Sequence, residues 1–278
     1  MSLSLGFPRA RHEFARLWTL PGVYAPQEDT CLLAEAVRSE VAPGMDVLDA
    51  CTGSGALALY AARRGARVTA VDISWRAALT VRLNALRMRQ PVTVRRGSVA
   101  SAEELGPFDL VVSNPPYVPA PDPALPTRGP ARAWDAGNDG REIVDRICST
   151  APRLLKPHGT LLMVHSALCG TDRTLQRLAA AGMRAEVVNR ARIPFGPVLR
   201  SRLPWLREQG LLGPDETTEE LVVIRAGAPS GAHPPLRDTP EPRDTREPRD
   251  TREPRDTREP RDAHAPRDAY RPLRRIHP

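Results

Sequence analysis

Between residues 45 and 226 the hydrophobic and polar positions switch repeatedly between two periods. Met45–Ala50 (MDVLDA) is a short apolar run ending in a glycine-rich turn, and a helical stretch follows over Ala56–Arg64. Arg67–Asp72 (RVTAVD) reads as a strand, Trp75–Met88 as a helix, Val92–Arg95 as a short third strand and Phe108–Ser113 (FDLVVS) as a fourth. Ile143, Ile147 and Leu154 at helical spacing predict a helix over Gly140–Leu155 that starts at Gly140, and Thr160–His165 (TLLMVH) is a fifth strand. Thr171–Ala181 is a helix, Met183–Asn189 a sixth strand and Glu220–Ala226 (ELVVIRA) the seventh. Short apolar runs bounded by turn residues are strands, and longer runs with a 3.6-residue repeat are helices. Their alternation predicts an α/β fold with a doubly wound, mostly parallel seven-stranded sheet. Such sheets bind ligands beyond the carboxyl ends of their strands, near the switch point, so chemistry is expected after residues 50, 72, 95 and 113. Arg190–Asp215, with Trp205 and Leu211-Leu212, is expected to be a long connection that could cover an acceptor site or a partner surface.

After Gly227 the pattern stops. The last 51 residues hold 11 of the 30 prolines, 12 Arg and 10 Asp+Glu, with repeats of Arg-Asp-Thr-Arg-Glu-Pro running through Asp262. Proline every sixth residue blocks helix and sheet interiors, and too few apolar side chains remain to offset chain entropy. The expected organisation is therefore a folded domain over 1–227 and a disordered, solvated tail over 228–278. An Arg-rich arm touching RNA or an acidic partner is the tail's functional reading. No apolar run approaches the roughly 20 residues of a membrane span, and the N-terminal residues lack a secretory apolar segment. Cys31, Cys51, Cys148 and Cys169 are scattered without a CxxC or Cys/His cluster, which predicts no disulfide framework, no metal site and a cytoplasmic setting. The formal charge of +7 permits a nucleic-acid partner without demanding one.

The first turn is Asp49-Ala50-Cys51-Thr52-Gly53-Ser54-Gly55. Its glycines let backbone approach a ligand, and the helix start behind it offers free N–H groups. Gly53, Gly55 and Ala58 satisfy the dinucleotide pattern GxGxxG/A, so NAD and S-adenosylmethionine both fit, and Asp72 at the end of the second strand could bind ribose hydroxyls in either. Asp49 leans toward S-adenosylmethionine, because a carboxylate there could accept hydrogen bonds from the cationic amine of its methionine end.

The fourth strand ends Ser113-Asn114-Pro115-Pro116-Tyr117. Pro115 and Pro116 cannot extend a central strand, and each restricts its predecessor to extended geometry, so Asn114 is held at the ligand edge. A planar NH2 group has a delocalised lone pair and is a weak nucleophile. The Asn114 side-chain carbonyl and the Pro115 backbone carbonyl could accept both its N–H bonds, orienting the nitrogen and stabilising developing positive charge. Tyr117 could stack on the planar group. These residues predict N-methyl transfer.

The combination DxCTGSG, Asp72 and NPPY resembles class I S-adenosylmethionine-dependent methyltransferases. Over residues about 20–226 it is most similar to the HemK-type family that methylates the glutamine of the GGQ motif in class I release factors. The resemblance implies cofactor contacts from Thr30, Asp49, Cys51, Thr52, Gly53, Ser54, Gly55, Asp72, Ile73, Ser98, Val99 and Asn114. It implies a catalytic set of Asn114, Pro115, Pro116 and Tyr117, with Asn114, Tyr117 and Trp134 at the acceptor. Thr30 lies in Val23–Thr30, which resembles the VYxPxEDT segment of the family's short branch. Glu28 and Asp29 are expected to act locally there, as acids in the first turn of a helix that starts with Pro26. Trp134, in the stretch Ala133–Glu142 that resembles AWxGGxxGRE, either walls the acceptor pocket or anchors its loop.

Some positions depart from the family pattern. Cys51 stands where the turn usually has glycine, and reads as a small buried thiol. Ser98 replaces the usual acid on the adenine amine, and its hydroxyl could still accept that bond, with Val99 N–H facing the ring. The 44 residues before Met45 are fewer than the N-terminal helical domain of longer members needs, so recognition is expected to use other surfaces, and a small activator subunit is an implied partner. The expected acceptor is a class I release factor; adenine-N6 of DNA or RNA is the alternative, and a non-catalytic fold with an interacting Arg-rich tail is a third.

Overall fold

The computed structural model describes residues 8–227, so the repeat segment read as a disordered tail lies outside the described residues. Seven strands form one sheet in the order β3-β2-β1-β4-β5-β7-β6. They are β1 (Asp46–Ala50), β2 (Arg67–Asp72), β3 (Val92–Arg96), β4 (Phe108–Ser113), β5 (Leu155–Ser166), β6 (Arg184–Pro194) and β7 (Thr218–Gly227). β1 through β5 are parallel where they pair, while β7 runs antiparallel to both β5 and β6. The doubly wound, mostly parallel sheet expected from the alternating pattern is the one found. Its order reverses at β1, whose neighbours β2 and β4 lie on opposite sides, making the β1/β4 crevice the switch point.

The helices are α1 (Pro8–Phe14), α2 (Glu28–Glu40), α3 (Ala56–Ala62), α4 (Trp75–Met88), α5 (Glu142–Leu154), α6 (Thr171–Ala180) and α7 (Pro197–Glu208). They cover both sheet faces, which is why Leu48, Leu110, Val111, Leu161 and Leu162 on the central strands are all fully buried. Among the described residues no helix is long and apolar enough to cross a membrane.

Several boundaries differ from expectation, among them the start of β5, which lies at Leu155 rather than Thr160. α2 opens at Glu28 with Gln27 as its cap rather than at Pro26. α5 opens at Glu142 rather than Gly140, because Gly140 is left-handed (φ +70°) and closes a loop against Tyr117, where an added Cβ would sit 2.3 Å from the Tyr117 carbonyl oxygen. The supposed connection 190–215 is largely ordered structure. β6 runs on to Pro194, paired with β7, and α7 follows. Phe195, Leu199, Leu206 and Leu212 bury against one another there, with Val118 and Trp205 packed alongside, so this segment has its own small core.

Candidate active site

Parallel pairing of β1 with β4 sets Ala50 opposite Ser113, and the Ser113 hydroxyl donates to the Ala50 carbonyl at 2.8 Å. The glycine turn after β1 and the Asn-Pro-Pro-Tyr segment after β4 therefore emerge side by side. Between them opens a cavity of about 740 Å3, inside the roughly 300–1,000 Å3 range of small-molecule sites.

The turn needs left-handed backbone at Cys51 (φ +59°), Gly53 (φ +54°) and Gly55 (φ +83°). Cys51 occupies a conformation that favours glycine, which accounts for glycine being usual there. Its thiol, expected to be buried, is half-buried and lines the cavity, and desolvation pushes it upward. Gly55 caps α3 and does not line the cavity; a Cβ there would meet Val81 at 3.0 Å. Asp49 is the turn's buried organiser. Its Oδ2 accepts from Thr52 Oγ1 at 2.6 Å and from Ala58 N at 2.9 Å, while Oδ1 is buried with no partner. Burial lifts its carboxyl to about 7, against those two hydrogen bonds, and the Asp72 charge adds to the lift. On the other side of the turn, Asp72 accepts from Gly53 N at 3.0 Å and Ser74 N at 2.8 Å. Burial raises its carboxyl too.

Thr52, Gly53 and Ser54 line the cavity beside Asp49, and Ile73, Ser98 and Val99 line it beyond Asp72. Ile73 is 57% exposed, and Ser98 is also exposed. This arrangement fits S-adenosylmethionine. The orphaned Asp49 oxygen is an acceptor lacking a donor, which the ammonium of the methionine end would supply. Each Asp72 oxygen keeps a lone pair for a ribose hydroxyl, and Ile73 and Val99 offer apolar surface to a flat ring.

At the other end stand Asn114, Pro115, Pro116 and Tyr117, all lining the cavity. Asn114 Nδ2 donates to Thr30 Oγ1 at 3.2 Å, so its Oδ1 remains for a ligand. Tyr117 is buried, and its hydroxyl donates to Asp29 Oδ2 at 2.9 Å. Burial, then the Asp29 charge, push the Tyr117 phenol well upward and keep it a donor. Asp29 is thus more than a first-turn acid. It is 3% exposed and also accepts from Tyr24 Oη at 2.7 Å and from Thr30 N and Oγ1 at 2.5 and 3.1 Å. Glu28 is the first-turn acid expected, half-buried and in an ion pair with Arg11. Local sequence could not distinguish these neighbouring acids, because one partner of Asp29, Tyr117, arrives from the segment after β4, 88 positions away.

The acceptor side is closed by the segment after Tyr117. Val118 N donates to the Trp134 carbonyl at 2.7 Å and Ala136 N to the Val118 carbonyl at 3.1 Å. Trp134 anchors the loop through its backbone carbonyl, and the residue also lines the cavity. Arg141, only 2% exposed, staples this loop to the segment before α6 through the Cys169 and Gly170 carbonyls, Thr174 and Asp145.

One end of the cavity thus holds a buried carboxylate oxygen without a donor, and the other holds Asn114, whose Oδ1 remains for a ligand. Residues 15–123 match the model of the methyltransferase small domain. The chain is 31% identical over 176 residues to a putative protein N5-glutamine methyltransferase of Methanocaldococcus jannaschii, covering 63% of this chain and 88% of that protein. It is 36% identical to methyltransferase HEMK2 of Mus musculus, covering 51% of this chain and 71% of that one. With the release factor glutamine methyltransferase of Streptomyces coelicolor it shares 34% identity, over 57% of this chain and 60% of that protein. A solved E. cuniculi complex of Mtq2 with Trm112, responsible for methylating the termination factor eRF1, superimposes with a TM-score of 0.51 at 22% identity, covering 75% of this chain and 99% of that one. At that identity the superposition bears on the fold alone.

Proposed function

The chain belongs to the HemK-type protein N5-glutamine methyltransferases, and from that premise we propose that it methylates the side-chain amide nitrogen of a glutamine in a class I release factor. It is an S-adenosylmethionine-dependent methyltransferase by family. The observation that carries the choice of acceptor chemistry is Asn114, whose amide nitrogen is occupied by Thr30 while its carbonyl oxygen is left for a ligand.

When bound, S-adenosylmethionine supplies a methyl group on a positively charged sulfur. The protein's part is orientation. Asp49 Oδ1 takes the ammonium and Asp72 the ribose, with Thr30, Cys51, Thr52, Gly53, Ser54, Ile73, Ser98 and Val99 forming the walls and Gly55 shaping the turn from behind. Asn114 Oδ1 and the Pro115 carbonyl would accept the two N–H bonds of the acceptor amide, aiming its nitrogen at the methyl and stabilising positive charge on it as the nitrogen–methyl bond forms and the methyl–sulfur bond breaks, the sulfur leaving as a neutral thioether. Pro116 stiffens the segment, and Tyr117 and Trp134 flank the acceptor. The surplus proton leaves the nitrogen after transfer, so no general base is required beforehand.

The working unit in this reading is residues 1–227, acting in the cytoplasm where release factors work. A small activator subunit is a proposed partner. On α4, Trp75, Leu79 and Leu86 share one helical face and are 56%, 37% and 79% exposed, beside the sheet-edge strand β3. Full turnover by the purified chain alone would remove the need for such a partner.

The deciding experiment supplies tritium-labelled S-adenosylmethionine with purified release factor and, in separate reactions, with DNA and rRNA. Label is expected in the GGQ glutamine. Label appearing in nucleic acid alone would replace this reading with adenine-N6 methylation, and label nowhere, with an activator subunit supplied as well, would favour the non-catalytic alternative.

A further inference from the structure

Asp29 lies behind the reacting residues and lines the back of the cavity, and four hydrogen bonds from three residues converge on it. Its Oδ2 accepts from the Tyr24 hydroxyl at 2.7 Å and from the Tyr117 hydroxyl at 2.9 Å, and its Oδ1 accepts from Thr30 N and Oγ1 at 2.5 and 3.1 Å. Both tyrosines are held as neutral donors, chiefly by burial and next by the Asp29 charge. Oδ2 is thereby saturated by two hydroxyls that can give it nothing back, and Oδ1 is left to Thr30.

A threonine hydroxyl has one hydrogen and two lone pairs, whereas a carboxylate only accepts. The Thr30 hydrogen therefore goes to Asp29 Oδ1, in a charge-assisted bond about twice as strong as a neutral one. With its hydrogen committed, Thr30 Oγ1 can only accept. It does so from Gln27 N at 3.4 Å and from Asn114 Nδ2 at 3.2 Å. A rotated Asn114, carbonyl toward Thr30, would set two lone-pair-bearing oxygens against each other. The polarity of one hydroxyl thus decides which end of the carboxamide faces the cavity.

We propose that Asp29 is the positioning residue that fixes the Asn114 carboxamide with its carbonyl oxygen toward the methyl acceptor, by setting the direction of the Thr30 hydroxyl. This rests on the reading that the acceptor is a planar amine donating to Asn114. Asp29 touches neither acceptor nor reacting atoms. It acts on Asn114 through Thr30.

The D29N substitution tests the idea with almost no change of shape. A carboxamide at position 29 can donate to Thr30 Oγ1, freeing the Thr30 hydrogen to turn toward Asn114 and letting that side chain rotate. Turnover at saturating S-adenosylmethionine and release factor is expected to fall roughly ten- to hundredfold, with the cofactor Kd unchanged within a few-fold. T30V should lose a comparable amount, T30S, which keeps the hydroxyl, should lose clearly less than T30V, and the D29N/T30V pair should be no worse than T30V alone, because both act through one link.

A readout independent of activity comes from 15N-asparagine-labelled protein. The Asn114 side-chain NH2 signals, assigned by their loss in N114A, should show one protected proton in the wild type and in T30S, and lose that protection in D29N and T30V. Wild-type turnover in D29N, an unchanged Asn114 amide signal in D29N, or additive losses in the double variant would each overturn the proposal. If D29N does not fold, T30V and T30S carry the same test through the Asn114 signal. Should the wild type fail to methylate release factor while D29N still changes that signal, the acceptor assignment fails and the positioning role stands.

Discussion

Arg202 grips Asp135 with two guanidinium nitrogens, at 2.7 and 3.1 Å, and gives a further bond to the Pro119 carbonyl at 2.9 Å. Asp135 adjoins Trp134 and pairs across a bridge with Val118, while Arg202 belongs to α7, so this pair ties the acceptor loop to the small core under α7. Side-chain exposures of 18% and 11% mean that little solvent screens the pair. Losing a charge-assisted bond of this kind costs about 1.5–3 kcal/mol. R202A should therefore loosen the loop and raise the KM for release factor roughly tenfold or more, with a much smaller change in cofactor affinity. Steady-state kinetics beside isothermal titration with S-adenosylmethionine separates the two; an equal loss in both would mean the pair supports the whole site.

Asn114 carries the second prediction. N114A removes one of two carbonyl acceptors for the attacking amide and should lower kcat by about 10²–10³, the range seen when a single oriented hydrogen-bonding group is removed from a reacting centre. Cofactor affinity should stay within a few-fold, since Asp49 and Asp72 do most of that work. Retained turnover would refute the orienting mechanism.

The pH dependence follows from two buried acids. Burial raises the Asp49 carboxyl to about 7 and the Glu219 carboxyl likewise to about 7. In the unfolded chain these groups lose their protons near 3.8 and 4.5. The folded chain therefore keeps protons that the unfolded chain has lost, and stability should decline as pH rises from about 4 through about 7. An ammonium beside Asp49 favours its ionised form, so binding of S-adenosylmethionine should release a proton below pH 7. The thermal shift caused by the cofactor should then grow with pH and level off above about 7. Melting curves with and without cofactor across this window, with D49N as the control that abolishes the trend, check the sign.

Arg141 is expected to matter for folding. It is fully enclosed, and its guanidinium joins Asp145 at 2.6 Å to the carbonyls of Cys169 and Gly170. R141A would leave these acceptors unsatisfied and should destabilise the protein by about 3–5 kcal/mol, read as a lower denaturant midpoint. R141K restores the charge without the planar fork and should recover only part of the loss.

Every residue assigned a role lies within the described region, so truncation after Gly227 should leave turnover on release factor unchanged. A dead truncation would give the repeat segment a part in the reaction.

Much of the fold was readable because its signals are local. A run such as Phe108–Ser113 is apolar on both faces only if the sheet is covered on both sides, and the glycine turn and the two prolines announce where the flanking strands stop. The parallel alternation then places both motifs at one sheet edge. α7 escaped detection because Pro204 interrupts its pattern and its apolar residues face a small core of their own. The start of α5 was misplaced because the left-handed backbone of Gly140 answers to Tyr117, 23 positions away in the sequence.

Sequence by itself thus determined the strand and helix alternation, the cofactor turn and the Asn-Pro-Pro-Tyr segment, all of them encoded in the conformational preferences of neighbouring residues. Tertiary structure alone decided what those groups face. Asn114 reaches Thr30 across 84 positions, Tyr117 reaches Asp29 across 88 and Arg202 reaches Asp135 across 67. Hydrogen-bond direction and charge pairing depend on atoms within about 3 Å of one another, and only the folded chain brings residues so far apart in sequence to that distance.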